Sequence, residues 1–365
     1  MSLLSGGLRM NIIRMEAHPD CILCSCRGQE IYQELPDRLF GVPGTFNIRQ
    51  CPSCRLLWLD PRPEDEDLPK CYSTYYTHQD PSSEGVTPRR RPFSAWRDTL
   101  RKAILCGYFG YRHLHPVHDL WCESGTLLAK IPFLRYRAVY DDLRERFPRW
   151  IEREDRLIID VGCGRGDYLR RMKELGWNVL GIEPDRDAAE LAKKKGVDVI
   201  TGTLQQAGLP DGIADQVTLQ HSIEHFPDPI AAIQECYRLL RGGGRVVIYT
   251  PNGESLGHRT FKSSWLPLDP PRHLFLFSTS SMELFLEKTP FRKHRIKTVP
   301  ASAANIYDSS LLIQKEGSIN PASVTHQKGR RLFSWKELFL CLFGVPRGEE
   351  LEVILYKEAW RNAIK

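Results

Sequence analysis

The chain has 365 residues with 51 Lys and Arg against 45 Asp and Glu, a net charge of +6, and is 41% hydrophobic and 26% charged. These values suit a soluble globular protein longer than one core usually organises, so more than one domain is expected. No run approaches the ~20 apolar residues that span a bilayer, and the start, Met1 to Arg9, has too short an apolar stretch and no basic opening for a secretion signal. A cytoplasmic protein is expected.

Taken in chain order, the first elements are two cysteine knuckles. Cys21-Ile22-Leu23-Cys24 and Cys51-Pro52-Ser53-Cys54 stand 26 residues apart. Four thiolates on two tight turns suit a closed tetrahedral structural zinc site, and the long spacer costs little loop-closure entropy. Cys26 is a weaker alternative to Cys24. The remaining cysteines, Cys71, Cys106, Cys122, Cys163, Cys236 and Cys341, read as isolated small hydrophobes. An aromatic stretch, Tyr72-Ser73-Thr74-Tyr75-Tyr76, follows the knuckles, and residues 79–92, rich in Pro, Ser and Arg, read as a linker.

Ala95, Leu100, Ile104, Leu105 and Tyr108 predict an amphipathic helix, and Leu134 to Phe147 predicts another, stopped by Pro148. Residues 89–156 carry 15 Lys and Arg against 9 Asp and Glu, an excess equal to that of the whole chain. A cationic cap would favour an anionic acceptor or rest on an anionic membrane surface; a solvated helical face accounts for the same charges.

The strand Leu157 to Ile159 then runs into Asp160-Val161-Gly162-Cys163-Gly164-Arg165-Gly166-Asp167. Glycines at alternate positions permit positive φ and close backbone approach to a nucleotide-like ligand. A helix with Leu169, Met172 and Leu175 on one face should stop at Gly176, and the strand Asn178 to Ile182 ends on Glu183, placed to bind ribose hydroxyls. A dinucleotide fingerprint spaces its glycines differently, although an NAD site or a bare tight turn remains a rival reading.

Further on come the strand-like run Val197 to Thr201, then Gly202-Thr203-Leu204, the strand Asp215 to Leu219, and Gln220-His221-Ser222-Ile223-Glu224-His225-Phe226-Pro227-Asp228-Pro229. Asp228 as N-cap and Pro229 at N1 start a helix from Ile230 to Leu240 that should end at Gly242-Gly243-Gly244, before a strand from Arg245 to Thr250. Regular β-α repeats predict a parallel, doubly wound sheet with its ligand crevice at the strand C-termini. Ser280-Ser281-Met282-Glu283 reads as a capping box for a helix from Met282 to Lys288. Arg295 to Val299 and Leu351 to Tyr356 read as strands, and Leu338 to Phe343 as a buried helix or strand.

The glycine loop, the Glu-His-x-x-Asp-Pro run and Pro251-Asn252 after the next strand, in that order over roughly residues 150–290, resemble class I S-adenosylmethionine-dependent methyltransferases. The resemblance implies a Rossmann-like doubly wound seven-stranded α/β sheet. It also implies cofactor contacts from Asp160, Gly162, Cys163, Gly164, Gly166, Glu183, Thr203, Leu204 and Gln220, although Thr203 stands where many relatives have an acid. The knuckles followed by Arg55 to Pro63 and the tyrosines resemble the N-terminal region of bacterial methyltransferases acting on sugars or other small intermediates.

The implied organisation is a zinc-binding module over residues 15–80, a linker over 81–92, a helical region over 93–150 and the methyltransferase domain over 151–365. If the acceptor is a hydroxyl, His225, His273 and then His221 are the candidate bases. His273, in Asp269-Pro270-Pro271-Arg272-His273, stands in a segment that resembles a proline-histidine stretch of related enzymes. Ubiquinone-type O-methyltransferases carry Glu-x-x-Glu-His where this chain has His221-x-x-Glu224-His225. That spacing lacks the first carboxylate of a divalent-ion site. The expected activity is methyl transfer to a small molecule or glycan precursor. An RNA methyltransferase with a zinc recognition module and an inactive cofactor-binding scaffold are the alternatives.

Overall fold

The computed structural model describes residues 13–72, 94–114, 119–131, 148–320 and 324–359. The N-terminal part holds β1 (Met15–Glu16), β2 (Gln29–Leu35), β3 (Phe46–Gln50), β4 (Leu57–Leu59) and β5 (Arg62–Pro63), closed by a 3-10 turn over Leu68–Tyr72. Helices α1 (Ser94–Gly107) and α2 (Asp119–Ala129) precede β6 (Leu157–Val161), α3 (Asp167–Glu174), β7 (Asn178–Glu183), α4 (Arg186–Lys194), β8 (Val199–Thr201) and β9 (Ala214–Gln220). The rest comprises α5 (Pro229–Leu239), β10 (Leu240–Pro251), α6 (Leu256–Phe261), β11 (Phe275–Leu276), α7 (Thr279–Glu287), β12 (Lys293–Val299), α8 (Ala303–Glu316), α9 (Arg330–Leu342) and β13 (Glu350–Tyr356). Seven strands take the order β12-β13-β10-β9-β6-β7-β8. The chain forms two compact units, and the division between them passes within β10 and β13.

One unit is built from residues 77–220, 235–247 and 355–365. Its β6, β7, β8 and β9 pair in parallel, with Asp160 opposite Gly181 on one side and Thr218 on the other. Ile158, Ile159, Val217 and Leu219 are fully buried, as expected of strands covered on both faces. Leu169 and Met172 bury the face of α3, and Gly176 takes φ +90°, the left-handed stop read from the sequence. In the helical region Leu100, Ile104 and Leu105 turn inward from α1, and Tyr111 Oη bonds Pro148 O and accepts from Trp177 Nε1 at 2.9 Å. A Cβ at Gly125 would lie 1.8 Å from the Ala103 carbonyl oxygen, so only glycine lets α1 and α2 approach this closely. That approach corrects one expectation: Cys106 and Cys122 are joined in a disulfide rather than standing apart. The second expected helix, Leu134 to Phe147, and the linker lie outside the described residues.

The other unit takes residues 1–76, 221–234 and 248–354. Its four-stranded antiparallel sheet has the order β11-β4-β3-β2. β3 alternates buried Phe46 and Ile48 with less buried residues, while β4, central in this sheet, is buried throughout. β11 comes from far along the chain, pairing Phe275 with Trp58 and Leu276 with Leu57. Asp228 Oδ1 caps α5 through the Ala231 N–H, as expected. Two local boundaries differ from expectation. Gly242-Gly243-Gly244 lie inside β10, which starts directly after α5, with Gly243 at φ +85°. The capping box of α7 is Ser278 with Ser281, beginning two residues earlier than read, because Ser278 holds the extended backbone that an N-cap needs.

Candidate functional site

Each cysteine knuckle closes on itself in the same way. Ser25 N–H bonds Cys21 O, Arg55 N–H bonds Cys51 O, and the residue after each pair is left-handed, Ser25 at φ 57° and Arg55 at φ 67°. Backbone N–H groups point at sulfur, Leu23 N to Cys21 Sγ and Cys54 N to Cys51 Sγ, each at 3.4 Å. The four sulfurs of Cys21, Cys24, Cys51 and Cys54 gather within 4.8 Å of one another, with contacts of 3.5 Å between Cys21 and Cys54 and 3.3 Å between Cys24 and Cys51. A tetrahedron of ~2.3 Å metal–sulfur bonds has edges of ~3.8 Å. The donor set therefore matches a four-thiolate ion in size and chemistry.

In the other unit the glycine loop leaves β6 with Gly162, Gly164 and Gly166 at φ 75°, 51° and 69°. A Cβ on Gly166 would approach Ala192 Cβ to 2.9 Å, so α4 packs against bare backbone. Glu183, buried at the end of β7, accepts Gly164 N–H through Oε2 at 2.7 Å and Asp185 N–H through Oε1 at 3.0 Å. Burial raises its carboxyl, opposed by those two bonds. Each oxygen keeps a lone pair for a further donor. Asp160 is buried and accepts from Thr218 Oγ1. Cys163 packs its thiol on Gly181, and burial raises that thiol. Thr203 and Gln206 bond each other's backbone in a short turn, and Leu204 is buried beside it.

Three of the six buried side-chain polar atoms without a hydrogen-bond partner among the described residues fall at the end of β9 or within four residues of it: Gln220 Nε2, Ser222 Oγ and Glu224 Oε1. Buried polar atoms are ordinarily paired, so such a group marks a place where a ligand or water completes the set.

Around Glu224 the unit that carries the cysteine knuckles assembles a histidine pocket. His225 Nδ1 lies 2.9 Å from Arg272 O and 3.0 Å from Tyr72 Oη, and His273 Nδ1 lies 2.6 Å from Pro267 O. A carbonyl only accepts, which assigns the proton to Nδ1 in both rings and leaves Nε2 with its lone pair. Among the described residues no hydrogen bond reaches either Nε2; His273 Nε2 lies 3.9 Å from Asp269 Oδ2. The rings meet edge-to-face at 4.8 Å, and one donor atom each of Glu224, His225 and His273 lies within 4.8 Å of the others. Enclosure by protein atoms pushes His225 down to about 4, helped by His273, and burial lowers His273 as well. Burial works against ionising Glu224, but His221 and the neighbouring rings hold its carboxyl down at about 2. At neutral pH the pocket therefore pairs a carboxylate with neutral imidazoles.

His221 is arranged differently. It is 41% exposed and set between two carboxylates, Nδ1 3.5 Å from Glu224 and Nε2 3.5 Å from Glu350.

Sequence reasoning missed the scaffold of this pocket. Arg272, fully buried, donates to both oxygens of Asp37 at 2.7 and 2.8 Å and to Asp269 through Nε at 3.1 Å, with its guanidinium over Phe40. Tyr72, read only as part of an aromatic stretch, supports His225; Tyr75 and Tyr76 lie outside the described residues. The one available signal was the charge of Asp269 and Arg272 beside two prolines, and nothing local to Asp37 announces its partner 235 residues away.

With this geometry in place, the comparison with known proteins identifies a class: residues 133–295 match the methyltransferase domain family. Among individual relatives, 122 residues are 32% identical to a protein of Mycolicibacterium smegmatis described as a "Probable S-adenosylmethionine-dependent methyltransferase", covering 33% of this chain and 45% of that one. Ubiquinone biosynthesis O-methyltransferases match similarly. The Colwellia psychrerythraea protein is 34% identical over 105 residues, 27% of this chain and 43% of its own length. The Pseudomonas aeruginosa protein is 35% identical over 103 residues, 26% and 44% respectively. The chain thus spans less than half the length of these relatives. The matched segment is similar to methyltransferase domains, several of them named S-adenosylmethionine-dependent, and its fold is Rossmann-like α/β.

Proposed function

We propose that the protein transfers a methyl group from S-adenosylmethionine to a hydroxyl of a small molecule or glycan precursor, with His225 removing the hydroxyl proton. The bound cofactor supplies the electrophilic methyl group. Glu183, already oriented by Gly164 and Asp185, is the acceptor for ribose hydroxyls, and buried Asp160 attracts the cofactor's ammonium group. The C-terminal ends of the parallel strands β6, β7 and β9 carry the glycine loop, Glu183 and Gln220, the end of such a sheet where ligands bind.

The observation that carries the hydroxyl acceptor is a pair of neutral imidazoles, each fixed through Nδ1, with one ring nitrogen of each within 4.8 Å of a carboxylate oxygen of ionised Glu224. A neutral imidazole fixed through Nδ1 can take a proton on Nε2, and the carboxylate stabilises the resulting imidazolium. His273 is the second base in rank and His221 the third, since it is 41% exposed and stands outside the Glu224, His225 and His273 group. The names of the ubiquinone biosynthesis relatives support an oxygen acceptor. Cys21, Cys24, Cys51 and Cys54 hold a structural zinc, supported by their sulfur spacing and backbone bonds.

Two measurements test this reading. A charged acceptor is worth about 1.5–3 kcal/mol per bond, so Glu183→Ala should weaken S-adenosylmethionine binding at least about tenfold in calorimetry. Unchanged affinity, or tight wild-type binding of NAD, would defeat the cofactor assignment. Elemental analysis should find about one zinc per chain; metal-free folded protein with four freely titrating thiols would refute the zinc site.

A further inference from the structure

The run Leu338 to Phe343 was expected to be buried, and α9 instead turns an apolar stripe to solvent. Leu332, Trp335, Phe339, Leu342 and Phe343 are 76%, 56%, 54%, 66% and 79% exposed. Their spacing of three or four residues puts them on one side of the helix. Trp335, Phe339 and Phe343 form a row of neighbouring rings. The opposite side is anchored: Phe333 packs on Tyr307 and Phe261, and fully buried Glu337 accepts the Glu349 N–H at 2.6 Å. The exposed orientation is therefore set by packing. Scattered exposed apolar residues need no explanation, but a contiguous aromatic and aliphatic stripe marks a binding surface.

Charge identifies what binds. Between Gly317 and Gly348 the sequence has Lys328, Arg330, Arg331, Lys336 and Arg347 against a single acid, Glu337, and that acid is buried. Arg330 and Arg347 pair with Asp308 and Glu254, whereas Lys328, Arg331 and Lys336 are exposed around the stripe. Trp, Phe and Leu on one face with Lys and Arg at its rim is the pattern of a helix lying in the headgroup region of an anionic bilayer. A symmetric contact between two copies through the same patch would set these cations against their own copies without a facing carboxylate.

We propose that α9 and the following turn through Val345 are a membrane-docking surface that seats the protein peripherally on anionic phospholipid. The stripe inserts to headgroup depth, and Lys328, Arg331 and Lys336 meet lipid phosphates.

The test is sedimentation of the full chain with phosphatidylcholine vesicles prepared with and without phosphatidylglycerol. Binding should require the anionic lipid and fall as salt is raised, since salt screens the attraction between the basic residues and the lipid phosphates. Trp335→Glu with Phe339→Glu, both at exposed positions, should reduce vesicle binding at least about tenfold while leaving S-adenosylmethionine affinity unchanged. Charge reversal at Lys328, Arg331 and Lys336 should do the same without touching the stripe. No binding by the wild type, or equal binding to neutral vesicles, overturns the proposal. So does a concentration-dependent dimer in sedimentation velocity that the Trp335→Glu, Phe339→Glu protein lacks, because the face would then be a contact between copies.

Discussion

His258 and His225 each hold Nδ1 against a backbone carbonyl, Gly253 O at 2.5 Å and Arg272 O at 2.9 Å. Each has a tyrosine ring edge-on to it, Tyr32 at 5.8 Å and Tyr72 at 5.9 Å. The difference lies in the second nitrogen. Around His258 the tyrosine donates to Nε2 at 3.0 Å and Trp265 stacks on the ring, so every polar atom is used. Around His225 the tyrosine oxygen sits on the Nδ1 side, no hydrogen bond reaches Nε2 among the described residues, and the ring belongs to a group with Glu224 and His273. Burial depresses both imidazoles, so a lowered histidine by itself says nothing of function. The lone pair left over does.

The strongest way to break this comparison is to remove each ring in turn. If His225 is the base, His225→Ala should lower single-turnover methyl transfer by about 10²–10⁴ with cofactor affinity nearly unchanged. His258→Phe should leave the rate intact and cost stability, about 1–3 kcal/mol for the hydrogen bonds it strands. Equal losses of turnover in the two variants would erase the distinction.

The next largest effect should come from Arg272, which anchors the His225 region through Asp37 and Asp269. Arg272→Ala leaves Asp37 and Asp269 buried without their cation, an uncompensated state worth about 3–5 kcal/mol. Chemical denaturation should register that loss, and Arg272→Lys should restore little of it because lysine cannot bridge Asp37 bidentately. Stability within about 1 kcal/mol of wild type would show that the loop is held by other contacts.

The smallest effect is a pH dependence that sharpens the contrast. Both rings are lowered when folded, so the unfolded state, with histidine near about 6.5, binds more protons across the window between the two values. Stability therefore rises with pH through that window and is lost as pH falls from about 6.5 toward the about 4 of His225. Either histidine contributes to this slope. The acid limb of turnover belongs to His225 alone, so it should lie near 4 in the wild type and remain in His258→Phe. An acid limb that moves with His258 would contradict the assignment.

Much of the fold was legible because its signals are local. A glycine loop, a proline after an N-capping aspartate and paired cysteine knuckles each act within a few residues, and φ, capping bonds and sulfur spacing followed as read. The Cys106–Cys122 disulfide was not legible, because it depends on how closely Gly107 and Gly125 let two helices approach. The exposed face of α9 was not legible either. Apolar residues occupy more than one side of that helix, and the buried side is the one that holds Glu337, whose acceptor role toward Glu349 N–H outweighs its polarity.

The sequence by itself determined the class of domain, the glycine loop with Glu183 at the end of the next strand and the four-cysteine set, since each is written in contiguous residues whose backbone needs are specific. Only the tertiary structure decided which histidine keeps a lone pair. That outcome depends on where Tyr72, Pro267, Arg272 and Asp37 arrive, and β11 pairing with β4 brings those distant segments into one unit. A hydrogen bond's partner across more than 150 residues is chosen by packing, and no local propensity records it.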